Sequence, residues 1–146
     1  MRTSESVVVP APASAVFRHI ARLEAYPAWL RLVHDVELVC EQPRPAWEVE
    51  LRARVGPFAR SKRLRMERTE LVDDRLAVFE RAETDGRQHA AWTLRAELEP
   101  IDGGAATTLT MHLAYDGSLW SGAVLGKVLD DEIKRARHTL VALVTG

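Results

Sequence analysis

Residues 47–55 read WEVELRARV, and along this stretch apolar side chains alternate with glutamates and arginines. Successive side chains of a β-strand point to opposite faces, so this alternation places the apolar residues together on one face. The pattern therefore predicts a half-buried strand of an antiparallel sheet whose charged face points toward water.

The same alternation recurs on both sides of this stretch. It starts near Val36 and continues through four further segments: residues 64–66, 76–82, 90–98 and 109–115. Short segments that favour turns separate them: Gly56-Pro57, Asp73-Asp74, Asp85-Gly86 and Asp102-Gly103-Gly104. Links of this size favour hairpins over crossover helices. We therefore expect consecutive strands to pair in an antiparallel manner.

The last part of the chain has a helical period instead. Between residues 119 and 144, apolar residues recur along one stripe: Leu125, Leu129, Ile133, Ala136, Leu140 and Val144. This stripe predicts one long amphipathic helix. On its outer face, Asp130 stands four residues before Lys134, and Asp131 four before Arg135. That spacing predicts two ion pairs on a solvated face.

The start of the chain supplies a first strand and two short helices. Residues 6–9 form a β-branched run that ends at Pro10, because proline cannot donate to a ladder. Residues 14–20 and 25–30 predict two short helices, the second with Pro27 near its first turn. The sequence thus predicts an α+β fold, in which a curved antiparallel sheet of six to seven strands covers its apolar face with the long C-terminal helix.

Composition sets limits on function. The 146 residues, 47% of them hydrophobic, are expected to form a single domain over residues 1–146. The lack of a long apolar run predicts neither a membrane span nor a secretory signal, and hence a cytoplasmic location. A net charge of −1 argues against nucleic acid as a partner, and the single Cys40 against an internal disulfide or a cysteine-based metal site. We expect no metal and no cofactor.

Two stretches near the start resemble the START-like (SRPBCC, helix-grip) superfamily. VVVPAPASAVF at residues 7–17 is similar to its opening strand and first helix, and LEAYPAWL at residues 23–30 to its second helix. The resemblance covers nearly the whole chain. Within the superfamily, the chain resembles either the polyketide cyclase/dehydrase-like branch or, through residues 55–58 and 115–117, the branch similar to a small accessory protein of carbon monoxide dehydrogenase.

The resemblance implies binding or transfer of a hydrophobic small molecule, such as a quinone, a lipid or a polyketide-like compound, in a cavity between the sheet and the C-terminal helix. The five histidines lack the spacing of metal ligands, and no motif of a catalytic nucleophile is present. A non-catalytic binding protein is therefore favoured. The alternatives are a polyketide cyclase/dehydratase acting on a poly-keto chain, and a protein-interaction module whose core is filled.

Candidate ligand contacts are residues expected on the inner faces of the elements that converge. They are Trp29, Trp47, Leu51, Met66, Arg68, Phe79, Arg81, Trp92, Met111, Tyr115, Leu125 and Leu129. Aromatic walls with a few polar groups are typical of pockets for apolar ligands, although the same residue types also form ordinary cores.

The two arginines among these candidates depend on strand register. If Asp73-Asp74 is the turn, Arg68 faces Phe79, whereas a turn one residue longer places it opposite Glu80. An inward arginine is suited to anchor a carbonyl, carboxylate or enolate oxygen. The alternative is a strand charge that stays in water.

A basic hairpin surrounds Phe58. Its cations are Arg52, Arg54, Arg60, Lys62, Arg63 and Arg65. An exposed aromatic tip among cations is suited to peripheral contact with an anionic membrane or an acidic carrier protein, or to gating a pocket. Alternatively, Glu48, Glu50 and Glu67 neutralise these charges across the strands.

Overall fold

The computed structural model of the chain describes residues 2–55, 57–117 and 122–145, with side chains for all of these except residues 55 and 122–125. In chain order the elements are β1 (Arg2–Val9), α1 (Ala13–Phe17), a 3₁₀ helix (Leu23–Ala28), β2 (Val33–Cys40), β3 (Ala46–Val55), β4 (Phe58–Val72), β5 (Leu76–Arg81), β6 (Trp92–Ile101), a 3₁₀ turn (Asp102–Gly104), β7 (Ala106–Tyr115) and α2 (Gly122–Thr145). No helix within the described residues is long and apolar enough to cross a membrane.

The strands of the described residues form one seven-stranded antiparallel sheet in the order β1-β7-β6-β5-β4-β3-β2. From β2 to β7 each strand pairs with the next in sequence, which confirms the predicted run of consecutive pairings. The exception is β1, which returns to pair with β7. The curved sheet and long terminal helix confirm the predicted α+β helix-grip fold.

Helix α2 closes the space between the two ends of the sheet. It packs against β1 at one edge and reaches β3 near the other. Its apolar stripe faces the core as predicted, because Leu129, Ile133, Ala136 and Leu140 are all buried. The side chain of Leu125, the remaining predicted ligand contact on this helix, lies outside the described residues.

Two local predictions need correction. The second helix is a 3₁₀ helix that begins at Leu23, so Pro27 stands near its end and not in its first turn. The connection around Asp85-Gly86 is no tight turn, since β5 ends at Arg81 and β6 begins only at Trp92. Polar contacts of Arg81 to this long loop, described below, account for its ordered path.

The ion pairs on α2 are partly redistributed. Asp130 does pair with Lys134 at 3.0 Å. Asp131, however, pairs with Lys127 at 3.4 Å, while Arg135 pairs with Glu132, also at 3.4 Å. Carboxylates on this face have cations at more than one helical spacing, so sequence separation alone does not determine their partners.

The lengths of β2 and β3 create an opening beside α2. The regular pairing of these strands ends where Val33 meets Leu51, and one further hydrogen bond joins the amide of Arg52 to the carbonyl of Leu32 at 2.9 Å. Beyond residue 52, β3 continues alongside β4 without β2 on its other side. Between this uncovered end of β3 and α2 lies the principal cleft.

Candidate functional site: a cleft beside the C-terminal helix

The cleft has a volume of about 780 Å³ and opens to solvent. Three parts of the chain form it: the segment leading into β2, the end of the β3–β4 hairpin, and the outer flank of α2. Its lining residues are Pro27, Arg31, His34, Arg52, Ala53, Arg54, Ala59, Val128, Asp131, Glu132 and Arg135. Roughly 300–1,000 Å³ is the usual size of a site for a small molecule, so the cleft is large enough to hold one.

Cations predominate on the cleft wall, which holds four arginines and two carboxylates. Glu132 ties two walls together: its carboxylate accepts the backbone N–H of Arg31 at 3.2 Å and pairs with the Arg135 guanidinium. Arg52 pairs at 3.0 Å with Glu50, a carboxylate that Arg63 also approaches to 3.0 Å.

An apolar region borders the cleft on its inner side. Leu30 and Val33 flank the cleft residue Arg31, and Leu51 precedes Ala53 on the same face of β3. These side chains line a closed apolar gap in the core together with Leu23, Leu32, Val49, Met66, Trp92, Leu94 and Leu113. The gap measures only about 10 Å³, roughly the smallest space that admits one water molecule. The sequence led us to expect a larger hollow here, whereas the larger space lies at the side of α2.

The predicted aromatic contacts lie in the core in two groups. In the first, Tyr26 packs against Trp29 and Phe79, and Phe79 in turn meets the edge of Trp47 with ring centroids 5.7 Å apart. Polar atoms of this group are bonded to the protein: Tyr26 donates to the carbonyl of Ile20, and the Trp29 indole to that of His19, both at 2.9 Å.

The second group stands at the other end of the core. Trp92 and Tyr115 are cross-strand partners on β6 and β7, and their rings stack with centroids 4.3 Å apart. Gly117 lies against this stack, because a Cβ atom at that position would stand 2.1 Å from the Tyr115 ring. The backbone after β7 can therefore follow this path only without a side chain at residue 117.

Among the remaining predicted contacts, Leu51, Met66 and Trp92 border the closed gap, whereas Met111 and Leu129 are buried elsewhere in the same core. None of the predicted ligand contacts lines the large cleft. Their participation in ligand binding stays a prediction.

The register of the β4–β5 hairpin settles the position of Arg68. Arg68 pairs with Phe79, as expected for a turn at Asp73-Asp74, and a bulge follows before Glu70. Its guanidinium donates to the carbonyl of Ala21 at 2.9 Å. Partial burial, assisted by the nearby positive charge of Arg22, lowers the pKa of Arg68 from its ordinary value. The structure thus gives this inward arginine a backbone partner above the sheet.

Arg81 is also engaged by the protein, and its side chain is only 6% exposed. Its guanidinium contacts Glu83 at 3.0 Å, the carbonyl of Ala90 at 3.2 Å and the ring of His89 at 3.2 Å. His89 in turn contacts Asp85 at 2.8 Å. Arg81 therefore holds the loop between β5 and β6.

The basic hairpin is neutralised in part. Glu50 and Glu67 pair with Arg63 and Arg65 on the outer face, as the electrostatic alternative predicts. No carboxylate of the described residues comes within salt-bridge distance of Arg54, Arg60 or Lys62: the pairs are Arg22, Arg52, Arg63, Arg65, Arg81, Arg95, Lys127, Lys134, Arg135 and three histidines with acids.

The tip of this hairpin carries Phe58, which is 69% exposed. Behind it, Arg60 and Lys62 pair with Ala53 and Leu51, so by strand alternation they lie on the inner face of the sheet. Contact of this tip with an anionic membrane or an acidic carrier protein stays a prediction.

Sequence reasoning missed most of the cleft. Arg52 and Arg54 stood out as part of a basic hairpin, but Arg31, His34 and Glu132 did not, because they belong to different elements. The available signal was the cation-rich pattern at two places, residues 31–34 and 52–54. That pattern gains meaning only once the pairing of β2 with β3 brings the two places together.

Comparison with known proteins places this geometry in context. Residues 1–145 match the model of a family described as polyketide cyclase / dehydrase and lipid transport. None of the curated proteins is detectably similar to the chain in sequence.

Three solved structures show the same fold. The protein TTHA0849 from Thermus thermophilus is 20% identical, with a TM-score of 0.73 and coverage of 99% of this chain and 97% of that one. A START superfamily protein from Mycobacterium smegmatis is 18% identical, with a TM-score of 0.70 and the same coverage. The Zhui aromatase/cyclase from Streptomyces sp. R1128 is 16% identical, with a TM-score of 0.62 and coverage of 99% and 90%. At these identities the likeness establishes the fold alone.

Proposed function

Since this chain belongs to the polyketide cyclase / dehydrase and lipid transport family, we propose that it binds a small, largely apolar molecule between the sheet and α2, with the cleft as the binding site. The observation that carries the proposal is the position of the cleft. It has the volume of a small-molecule site, and its inner wall borders the apolar core at Leu51 and Val33.

Binding at this position requires a modest rearrangement. The closed gap behind Leu30, Val33 and Leu51 holds no more than a water molecule, so an apolar group that extends inward has to displace these side chains. Burial of such a group contributes roughly 25 cal/mol for each Å² of apolar surface removed from water, which offsets the cost of the displacement.

Binding without turnover is favoured over cyclase or dehydratase activity. A general acid or base has to be positioned on the reacting group with a free proton-transfer site. The two inward arginines that we considered as anchors, Arg68 and Arg81, are each bonded to backbone carbonyls. A binding protein needs no such group.

Nile red, a neutral apolar dye, tests the proposal. We expect saturable fluorescence enhancement on titration with the protein, and weaker binding by Ala59→Trp, which fills the cleft from an exposed position of its wall. Ala142→Trp is the matched control, because Ala142 is exposed on α2 and does not line the cleft. Native mass spectrometry of the purified protein would in addition identify a retained apolar molecule.

Equal binding by both tryptophan variants and the unmodified protein would place the dye outside the cleft. Turnover of a poly-keto substrate that survives Arg68→Ala and Arg81→Ala would favour an enzyme whose reacting groups lie elsewhere. Absence of saturable binding would remove the proposal.

A further inference from the structure

The charges of the cleft are more specific than an apolar ligand requires. The whole chain has a net charge of −1, yet the cleft wall has four arginines against Asp131 and Glu132. Both of these carboxylates already have a cation from α2, since Asp131 pairs with Lys127 and Glu132 with Arg135. The positive excess is therefore local to this site.

Two of the four arginines are already paired. Arg135 is opposite Glu132, and Arg52 is opposite Glu50. The other two, Arg31 and Arg54, have no carboxylate within salt-bridge distance in the part of the chain that the structure describes, and both are exposed. Each offers a planar fork of donors suited to a carboxylate or a phosphate.

A third cation reinforces this end of the cleft. Arg60 is the cross-strand partner of the cleft residue Ala53 and lies on the same inner face. It too lacks a carboxylate partner among the described residues. Cations concentrated beside a partly enclosed wall raise the local concentration of an anionic ligand.

Apolar groups stand next to these cations. Pro27, Ala53 and Val128 line the cleft, and the side chains of Val33 and Leu51 continue the apolar wall toward the core. A ligand that satisfies both parts has an anionic end and an apolar body.

We infer that the cleft binds an anionic amphiphile, whose carboxylate or phosphate contacts Arg31 and Arg54 while its apolar body lies against Ala53, Val128 and the core side chains beyond. This inference rests on the proposed function and specifies the ligand class. It needs no covalent step, because both arginines act as fixed hydrogen-bond donors.

Three ligands of equal chain length separate the contributions of charge and apolar surface. Decanoate, decanol and decyltrimethylammonium are titrated into the full chain by calorimetry, below their micelle-forming concentrations. We expect decanoate to bind about tenfold more tightly than decanol, and the cation most weakly. Added salt should narrow the difference between decanoate and decanol.

Variants locate the charge effect. The double variant Arg31→Gln with Arg54→Gln should weaken decanoate to the affinity of decanol and leave decanol unchanged. Arg87→Gln, a substitution at an exposed arginine outside the cleft, should change neither. Circular dichroism of each variant confirms that it is folded.

The outcomes are distinguishable. Equal affinity of the unmodified protein for decanoate and decanol, with both weakened by Ala59→Trp, overturns the anionic amphiphile while the proposed function stands. Inorganic phosphate that binds as tightly as decanoate indicates a site for a free anion and also overturns it. If none of the three chains nor Nile red binds, the proposed function itself fails.

Discussion

Arg68 lies directly opposite Phe79 across β4 and β5, yet its guanidinium donates to the carbonyl of Ala21, 2.9 Å away, on the segment above the sheet. An arginine on the inner face of a ligand-binding fold suggests an anchor for ligand. Here the same group ties the segment after α1 to the sheet, so we assign it a structural role.

The first prediction concerns this contact. Arg68→Met keeps much of the apolar stem but removes the donor, so we expect a loss of about 1–2 kcal/mol in the free energy of unfolding. Urea denaturation should show a lower midpoint with an unchanged m-value. Arg87→Met, at an exposed site, should change stability by less than about 0.5 kcal/mol.

A ligand anchor behaves differently. If Arg68→Met kept full stability but lost the binding of Nile red, the structural assignment of Arg68 would be wrong.

Gly117 provides the second prediction. A Cβ atom there would stand 2.1 Å from the Tyr115 ring, so Gly117→Ala forces the ring to move and disrupts its stacking on Trp92. We expect altered near-ultraviolet circular dichroism and tryptophan fluorescence, with a loss of about 1–3 kcal/mol in stability, as is typical of overpacking. Unchanged spectra and stability would show that the chain after β7 follows a different path.

Gly126 gives the third prediction, with the opposite sign. It lies within α2, and a Cβ atom there would meet nothing closer than the Thr3 hydroxyl oxygen at 3.5 Å, an ordinary contact. Gly126→Ala should therefore stabilise the protein by up to about 1 kcal/mol, because alanine loses less backbone entropy in a helix. A lower melting temperature would mean that α2 packs more tightly on β1 at this point.

The fourth prediction is a dependence on acid. Glu97 accepts from Arg95 at 2.6 Å and contacts the His112 ring at 3.0 Å, and mainly the hydrogen bond from Arg95 holds the pKa of Glu97 below its ordinary 4.5. A carboxyl group with a lowered pKa in the folded state stabilises the fold above its unfolded pKa, and this contribution is lost as the pH falls.

Glu97→Gln should therefore be less stable than the unmodified protein at neutral pH, and the difference should shrink as the pH falls through 4.5 and below. Thermal melts across the acidic range measure it. A difference that stays constant with pH would show that ionisation of Glu97 does not contribute.

Much of the fold could be predicted because its elements are written in local periods. The alternation at residues 47–55 and the stripe from Leu129 to Leu140 each identify both the type of element and its buried face. The loop between β5 and β6 escaped prediction, since it depends on contacts of Arg81 with residues that follow it by several positions.

The candidate site was predicted less well for a related reason. The aromatic residues chosen as ligand contacts are indeed on inner faces, but inner faces also form the core, and most of these rings pack on one another. The cleft exists because β3 extends past the end of β2 beside α2. Relative strand lengths and helix placement are properties of the assembled fold, which no short sequence pattern specifies.

The central claim is that a small molecule binds between α2 and the uncovered end of β3. Backbone amide chemical shifts, recorded by NMR while decanol is titrated into the labelled protein, test it most directly. We predict saturable changes at residues 31–34, 52–54 and 128–135. Changes centred instead on the smaller outer groove around Arg75 and Glu97, or shifts that rise linearly without saturation, would contradict it.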